Sequence, residues 1–209
     1  QNISFYQVNN IDEKLLNKIN KDYNIQTSVI FSWEEVLIYL ILDVHYIELE
    51  KITNASVAGI RFTGENPNTI LNKYQITVNN VAPYCSGQFY KREMPCLITL
   101  VNQIADPFDV IIVDGFVYLD GLVQAGLGKH LYDNLHNKKP IIGVAKNSFH
   151  GITEKYEVYR GESKNPLYVT THDFNLDEAK LLIKNLEGKF RVPSIIQKVD
   201  KLSRETCTH

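Results

Sequence analysis

The spacing of apolar side chains predicts both helices and strands along this chain. Recurrence every three or four residues predicts helices over 11–25, 32–43, 86–104, 122–135 and 176–186, with a short helix after Pro193. Alternating or continuous β-branched runs predict strands over 56–63, 69–78, 109–114, 140–145 and 166–169. Strands and helices therefore intermix along the chain.

The order of these segments predicts a mixed sheet. Residues 56–63 and 69–78 flank turn chemistry at 64–68, which predicts an antiparallel β-hairpin. The runs at 109–114 and 140–145 are continuous and apolar, which is typical of strands buried on both faces of a parallel sheet. A hairpin followed by strand–helix–strand units predicts an α/β domain with helices flanking the sheet.

Length and composition place the chain among ordinary globular proteins. It has 209 residues, 44% of them hydrophobic and 22% charged, which is close to globular averages and excludes a disordered chain or a coiled coil. We predict a domain over residues 56–209. Residues 1–55 are predicted to form an N-terminal helical extension packed on the same domain.

Charge and cysteine usage narrow the function classes. The net charge of −2 argues against a protein that wraps DNA through bulk positive charge, so any nucleic-acid contact must be a local patch. Three cysteines (Cys85, Cys96 and Cys207) match neither a zinc site nor a disulfide framework. The most apolar run, Val36 to Val44, is too short for a membrane span. We therefore expect a cytoplasmic protein without membrane association.

Asp114 and Lys146 follow two predicted neighbouring strands, so both should emerge at one edge of the sheet. A carboxylate there is a candidate Mg²⁺ ligand, and a lysine beside it can hold a phosphate. The ordinary alternatives are a turn aspartate before Gly115 and a solvated strand-end lysine. The residues alone leave both interpretations open.

Three further residues have both a functional and an ordinary interpretation. Glu93, on the helix predicted over 86–104, is a second candidate acid or a solvated helix residue. His172 is a phosphate or water contact, or a surface histidine. Tyr84, on a tight loop, is an aromatic wedge for a base stack or a tyrosine packed on the core.

Three sequence blocks, in order, resemble the endonuclease V family of deoxyinosine-directed repair nucleases. Residues 83–93 (PYCSGQFYKRE) are similar to the family's PYxxGxxxxRE segment, residues 113–115 (VDG) to its central strand end, and residues 139–147 (KPIIGVAKN) to its KPxIGVAKS segment. Weaker similarity covers residues 166–169, His172 and residues 176–179. The resemblance runs from about Val57 to Ser203 and implies an RNase H-like fold.

The resemblance implies a Mg²⁺- or Mn²⁺-dependent endonuclease. It would hydrolyse a phosphodiester near deoxyinosine or another deaminated base in DNA, or near inosine in RNA. Asp114 and Glu93 resemble the metal-binding acids, Lys146 the lysine on the phosphate side, and His172 a catalytic histidine near the C-terminus.

The resemblance also implies a site for the damaged base. Tyr84 is similar to the family's wedge tyrosine, which helps to hold the strands apart around the lesion. Gly87 and Gly115 would form the pocket for the flipped base.

Departures from the family pattern support a second hypothesis. Residues 57–60 (VAGI) resemble the family's VAGxD strand, but Arg61 stands where the metal-ligand aspartate is expected. A guanidinium cannot ligate a cation, so Arg61 would weaken metal binding and pair with Asp114. Phe116 replaces a histidine, and Leu122-Val123 replaces a basic pair. The alternative is therefore a catalytically impaired member that binds nucleic acid or a protein partner without cleaving.

Overall fold

The structure is a computed structural model that describes residues 36–48, 52–64, 69–83, 85 and 87–205. The helix predicted over residues 11–25 and the candidate wedge Tyr84 lie outside these ranges. Residues from Val36 onward belong to one compact unit.

Seven strands form one mixed sheet within the described ranges. They are β1 (Ile38–Glu48), β2 (Thr53–Thr63), β3 (Ile70–Val78), β4 (Val110–Asp114), β5 (Ile141–Ala145), β6 (Glu157–Val158) and β7 (Leu167–His172). The strand order is β3-β2-β1-β4-β5-β7-β6. β4 is parallel to both β1 and β5, whereas the other pairs are antiparallel. The predicted α/β mixed sheet, with its hairpin of β2 and β3, is confirmed.

Helices cover both faces of this sheet. The described ranges contain α1 (Phe89–Val101), α2 (Leu127–Asn134), α3 (Leu176–Asn185), α4 (Ser194–Arg204) and a 3₁₀ turn (Glu154–Tyr156). The inner sides of α1 and α2 join one apolar core, and those of α3 and α4 join the other. None of these helices is long and apolar enough to cross a membrane.

The helix predicted over residues 32–43 is wrong where the structure describes it. Residues 38–48 form β1, which lies between β2 and β4. A continuous apolar run does not distinguish a buried strand from a buried helix by its period. The predicted boundary after residue 55 falls inside β2, so the extension cannot reach that far.

The helix predicted over residues 122–135 starts only at Leu127. Before it, residues 118–126 form a tight loop in which the Leu119 N–H donates to the Gln124 carbonyl at 2.7 Å. Asp120 Oδ1 accepts the backbone N–H groups of residues 122, 123 and 124 at 2.9, 2.9 and 3.0 Å. An aspartate that binds nearby backbone groups competes with helix formation, which explains the late start.

A glycine in β5 lets the chain cross the sheet after β4. A Cβ on Gly143 would lie 2.5 Å from the Gly115 carbonyl oxygen and 2.6 Å from the Val117 nitrogen. The Val117 N–H donates to Thr170 Oγ1, on β7, at 2.8 Å. This close crossing fixes the start of the 118–126 loop beside the end of β4.

Candidate active site

Two aspartates stand side by side at the centre of the sheet. Leu42 of β1 pairs with Val113 of β4 in a parallel register, so Asp43 and Asp114, the next residues, are neighbours. Asp43 is buried and accepts a hydrogen bond from Ser203 Oγ, on α4, at 2.6 Å. Burial raises the pKa of Asp43, and the nearby charge of Asp114 raises it further.

Glu93 adds a third acid from the helix that covers this part of the sheet. It lies on the second turn of α1, is only 4% exposed, and its Oε2 has no hydrogen-bond partner. Burial raises the pKa of Glu93 well above its usual range, and the charges of Asp43 and Asp114 act in the same direction. A buried carboxylate oxygen without a partner is costly, and this cost favours a cation or a proton at the site.

Lys146 lies where the sequence predicted it, directly after β5. Its Nζ is 2.5 Å from Asp114 Oδ2. Both side chains keep access to solvent, with exposures of 35% for Lys146 and 27% for Asp114. The structure therefore brings Asp114, Glu93 and Lys146 together at one edge of the sheet, although their catalytic roles stay predictions.

Asp43 and Asp200 are acids of this site that the sequence reasoning missed. Asp200 lies on α4, where Arg204 Nη2 donates to its Oδ1 at 2.9 Å. This bond lowers the pKa of Asp200, and the positive charges of Lys146 and His45 lower it further. The charge of Asp200 in turn raises the pKa of Asp43. The signal for Asp43 was an acid that interrupts the apolar run Val36 to Val44.

A cavity of about 420 Å³ opens beside the end of β4. Asp114 lines it, as do Gly87 and Gly115, the two glycines predicted to form a base pocket. The other lining residues are Phe89, Tyr90, Phe116, Leu119, Gln124, Ala125, Gly126, Leu127 and Phe149. A mostly apolar cavity that borders a carboxylate has the composition of a small-ligand site.

The acids suit a hard divalent cation by their chemistry. Oxygen ligands are those that Mg²⁺ prefers, and the mutual charge repulsion of Asp43, Glu93 and Asp114 would be relieved by a cation. In the described part of the chain, no group of three or more His, Cys, Asp or Glu side chains is arranged to hold a metal ion. The carboxylates of Asp114 and Asp43 bind Lys146 and Ser203 instead, so metal binding requires these side chains to turn.

His172, the predicted catalytic histidine, is not brought together with the carboxylates, and its catalytic role stays a prediction. It pairs with Ile141 on β5, whereas Asp114 lies level with Val144. Three residues along a strand correspond to about 10 Å, and β5 also separates β7 from β4. His172 Nδ1 instead shares a hydrogen bond with Tyr118 Oη at 2.8 Å.

Arg61 does not occupy the metal site, which corrects the prediction that it pairs with Asp114. It lies on β2, level with Leu40, and β1 separates it from β4. Its Nη2 donates to the Pro107 carbonyl at 2.6 Å, and its Nη1 lies 3.6 Å from Asp106 Oδ1. Residues 57–60 are thus part of β2, and the central aspartate is Asp43 of β1.

Phe116 is a largely buried part of the cavity wall. Its ring contacts Phe149 and Tyr168, with centroid distances of 6.4 and 6.2 Å. The departure from histidine therefore makes this part of the wall aromatic.

A sequence model of the endonuclease V family matches residues 25–201. The chain belongs to the endonuclease V family. The match starts ahead of β1, so it includes Asp43 as well as Glu93, Asp114 and Lys146.

Solved structures of this family share the fold. Endonuclease V from Bacillus subtilis is 20% identical, with a TM-score of 0.67 over 91% of this chain and 89% of that one. The protein from Streptomyces avermitilis is 22% identical, with a TM-score of 0.66 over 81% and 80%. Endonuclease V from Ciona intestinalis, solved in complex with DNA containing an inosine followed by a ribo-adenosine, is 18% identical, with a TM-score of 0.67 over 92% and 97%.

Proposed function

We propose that this protein is a divalent-metal-dependent endonuclease that hydrolyses a phosphodiester bond near inosine or deoxyinosine in nucleic acid. The observation that carries the proposal is the adjacency of Asp43 and Asp114 on parallel strands, beside a cavity that Asp114 lines. Family membership and the Ciona relative's inosine-containing DNA support the substrate class.

Asp43, Asp114 and Glu93 are the residues that would hold Mg²⁺ or Mn²⁺. A bound Mg²⁺ supplies charge stabilisation to a phosphoryl oxygen and lowers the pKa of a bound water. Lys146 would donate to a phosphate oxygen once it leaves Asp114, and its side-chain exposure of 35% supports this role. Ser203, on α4, holds the Asp43 carboxylate by a hydrogen bond.

The cavity beside Asp114 would receive the base. Gly87 and Gly115 both have positive φ angles, +75° and +155°, and neither places a side chain in the cavity they line. Burial of a base there, with its phosphate at the carboxylates, positions the scissile bond relative to the lesion.

Cleavage and metal binding test this proposal together. A labelled oligonucleotide with one deoxyinosine, and an RNA with one inosine, are incubated with Mg²⁺ or Mn²⁺ and scored for nicking. Asp43→Asn and Asp114→Asn should each abolish nicking, while the exposed Lys73→Ala control keeps it. Titration calorimetry should show Mg²⁺ binding to the wild-type protein that Asp43→Asn weakens at least tenfold.

The absence of nicking at enzyme excess, with both metals and both substrates, contradicts the proposal. Oligonucleotide binding without nicking would instead support the impaired-member hypothesis. Arg61 no longer motivates that hypothesis, because it lies on another strand and pairs with other residues.

A further inference from the structure

Leu122 and Val123 form an apolar tip on the 118–126 loop. They are 68% and 80% exposed, the highest exposures among large hydrophobic side chains in the described ranges. Single exposed apolar residues are ordinary, but contiguous ones at the border of a cavity mark an interaction site.

The loop holds this tip rigidly. Asp120 Oδ1 accepts three backbone N–H groups, those of Leu122, Val123 and Gln124. Tyr156 Oη donates to the Gly121 carbonyl at 2.8 Å. Gly121 has φ +85°, and a Cβ there would lie 2.2 Å from the Tyr156 ring. A pre-organised tip loses little conformational entropy when it binds.

The tip connects the two arms of a loop that lines the cavity next to the carboxylates. Leu119, Gln124 and Ala125, from the two arms of the same loop, line the cavity. Phe89 and Phe149 line it as well and are 45% and 39% exposed. Leu122 and Val123 are therefore exposed apolar residues between two arms of a loop that both line the cavity.

The charges around the tip indicate whether it binds the phosphates or the bases of a nucleic acid. Residues 113–128 contain no lysine or arginine, and their charged residues are Asp114 and Asp120. This segment therefore offers a phosphate backbone no cationic side chain. Aliphatic side chains do contact base faces, and they insert between base steps where a strand is opened.

We propose that the apolar tip contacts the faces of unpaired bases next to the base held in the cavity. This inference rests on the proposed function, and it names the substrate form: a single-stranded or locally opened segment at the lesion. An intact duplex hides base faces from Leu122 and Val123, so the tip favours unpaired substrate.

The test replaces both tip residues, Leu122→Ser with Val123→Ser, in the full chain. Leu181→Ser on α3 is the matched control, because Leu181 is also exposed, at 59%, and does not line the cavity. The probes are deoxyinosine oligonucleotides, single-stranded and fully paired, that carry the fluorescent base 2-aminopurine beside the deoxyinosine. Binding is measured in EDTA to prevent cleavage, and nicking is measured separately in Mg²⁺.

The double variant should bind the single strand about tenfold more weakly, within the range of one lost base contact. It should also lose the wild-type change in 2-aminopurine fluorescence. Its dependence on salt should be unchanged, because no phosphate contact is removed. Leu181→Ser should match the wild type in all three measurements.

Unchanged affinity and fluorescence in the double variant overturn this inference, and wild-type nicking would then leave the proposed function intact. A wild-type protein that neither binds nor nicks the probes overturns both. Self-association in sedimentation velocity that the double variant abolishes, with oligonucleotide binding unaltered, would assign the tip to a protein interface and overturn the nucleic-acid assignment.

Discussion

Asp43 and Asp114 are neighbours on the two parallel strands at the centre of the sheet, and each sits one residue beyond a paired apolar position. Two carboxylates at this spacing repel each other, and burial of Asp43 adds to the cost. Side chains that lower the stability of the fold in this way are typical of a functional site, because the reaction requires residues that folding alone would not favour.

Asp43→Asn should stabilise the metal-free fold and abolish its response to metal. The amide keeps an acceptor for Ser203 Oγ but removes the buried charge, so we expect a gain of about 0.5–2 kcal/mol at neutral pH. Mg²⁺ at ten times its dissociation constant should stabilise the wild type by about 1.4 kcal/mol and leave the variant unchanged. Thermal melts with and without Mg²⁺ measure both effects.

Lys73→Ala serves as the control for these melts, because Lys73 is exposed on β3, which β2 and β1 separate from β4. A wild-type melting temperature that does not respond to Mg²⁺ or Mn²⁺ would contradict the assignment of Asp43 as a ligand.

Glu93 should make stability depend on pH. Its pKa is raised in the folded protein, so the folded state binds a proton more tightly than the unfolded chain. Proton binding by Glu93 stabilises the fold fully below the pKa of glutamate in the unfolded chain, about 4.3. This stabilisation is lost as the pH rises through the raised pKa of the folded protein. Glu93→Gln should flatten the denaturation free energy across this window.

Urea denaturation at a series of pH values in EDTA checks the Glu93 prediction. Glu187→Gln, at an exposed loop position, should keep the wild-type pH profile. An identical profile for Glu93→Gln and wild type would show that Glu93 is not a source of the dependence.

The sequence predicted strands best where apolar and polar residues alternate, or where a uniformly apolar run ends at a turn. β2, β3, β4 and β5 follow such patterns and were identified, as was their mixed arrangement. β1 was not, because the run Val36 to Val44 looks the same by hydrophobicity whether it is a helix or a strand. Its pairing with β2 and β4 is a long-range property that local pattern does not encode.

The prediction of β1 as a helix also led to a wrong position for one acid of the site. With residues 32–43 predicted as a helix, residues 57–61 are the segment that resembles the family's VAGxD strand, and Arg61 stands at its acidic position. Pairing in three dimensions puts Asp43 beside Asp114 instead. The antiparallel direction of β7 places His172 away from the carboxylate edge, and its catalytic role stays a prediction.

Arg61→Met should destabilise the fold without changing metal affinity. The buried guanidinium donates twice to the Pro107 carbonyl and once to Asn72 Oδ1. Loss of these donors leaves buried acceptors unpaired, at a cost of about 1–3 kcal/mol. Urea denaturation gives the stability, and calorimetry of Mg²⁺ binding below the unfolding transition gives the affinity. A tighter Mg²⁺ constant in this variant would restore Arg61 to the metal site.

Arg160→Lys should destabilise the α3–α4 connection, although it conserves charge. The buried guanidinium donates to five backbone carbonyls, those of residues 184, 186, 188, 190 and 191. An ammonium has only three donors, so at least two carbonyls lose a partner and we expect a loss of about 2–5 kcal/mol. Arg191→Lys, which keeps its backbone in place, is the control, and equal stability of both variants would contradict this role.

Lys198 and Lys201 should supply part of the phosphate binding that the 118–126 loop lacks. Both are exposed on α4, the helix whose Ser203 binds Asp43. Replacement of both by alanine removes two cationic contacts, and the slope of log affinity against log salt should fall by about 1.8 on duplex DNA, or about 1.4 on a single strand. Fluorescence anisotropy in EDTA over a range of salt concentrations measures the slope, and Lys73→Ala should preserve it. An unchanged slope in the double variant would show that the nucleic-acid backbone binds to another face of the protein. A reduced slope with unaltered Mg²⁺ binding would show that the two lysines contact phosphates independently of the metal site.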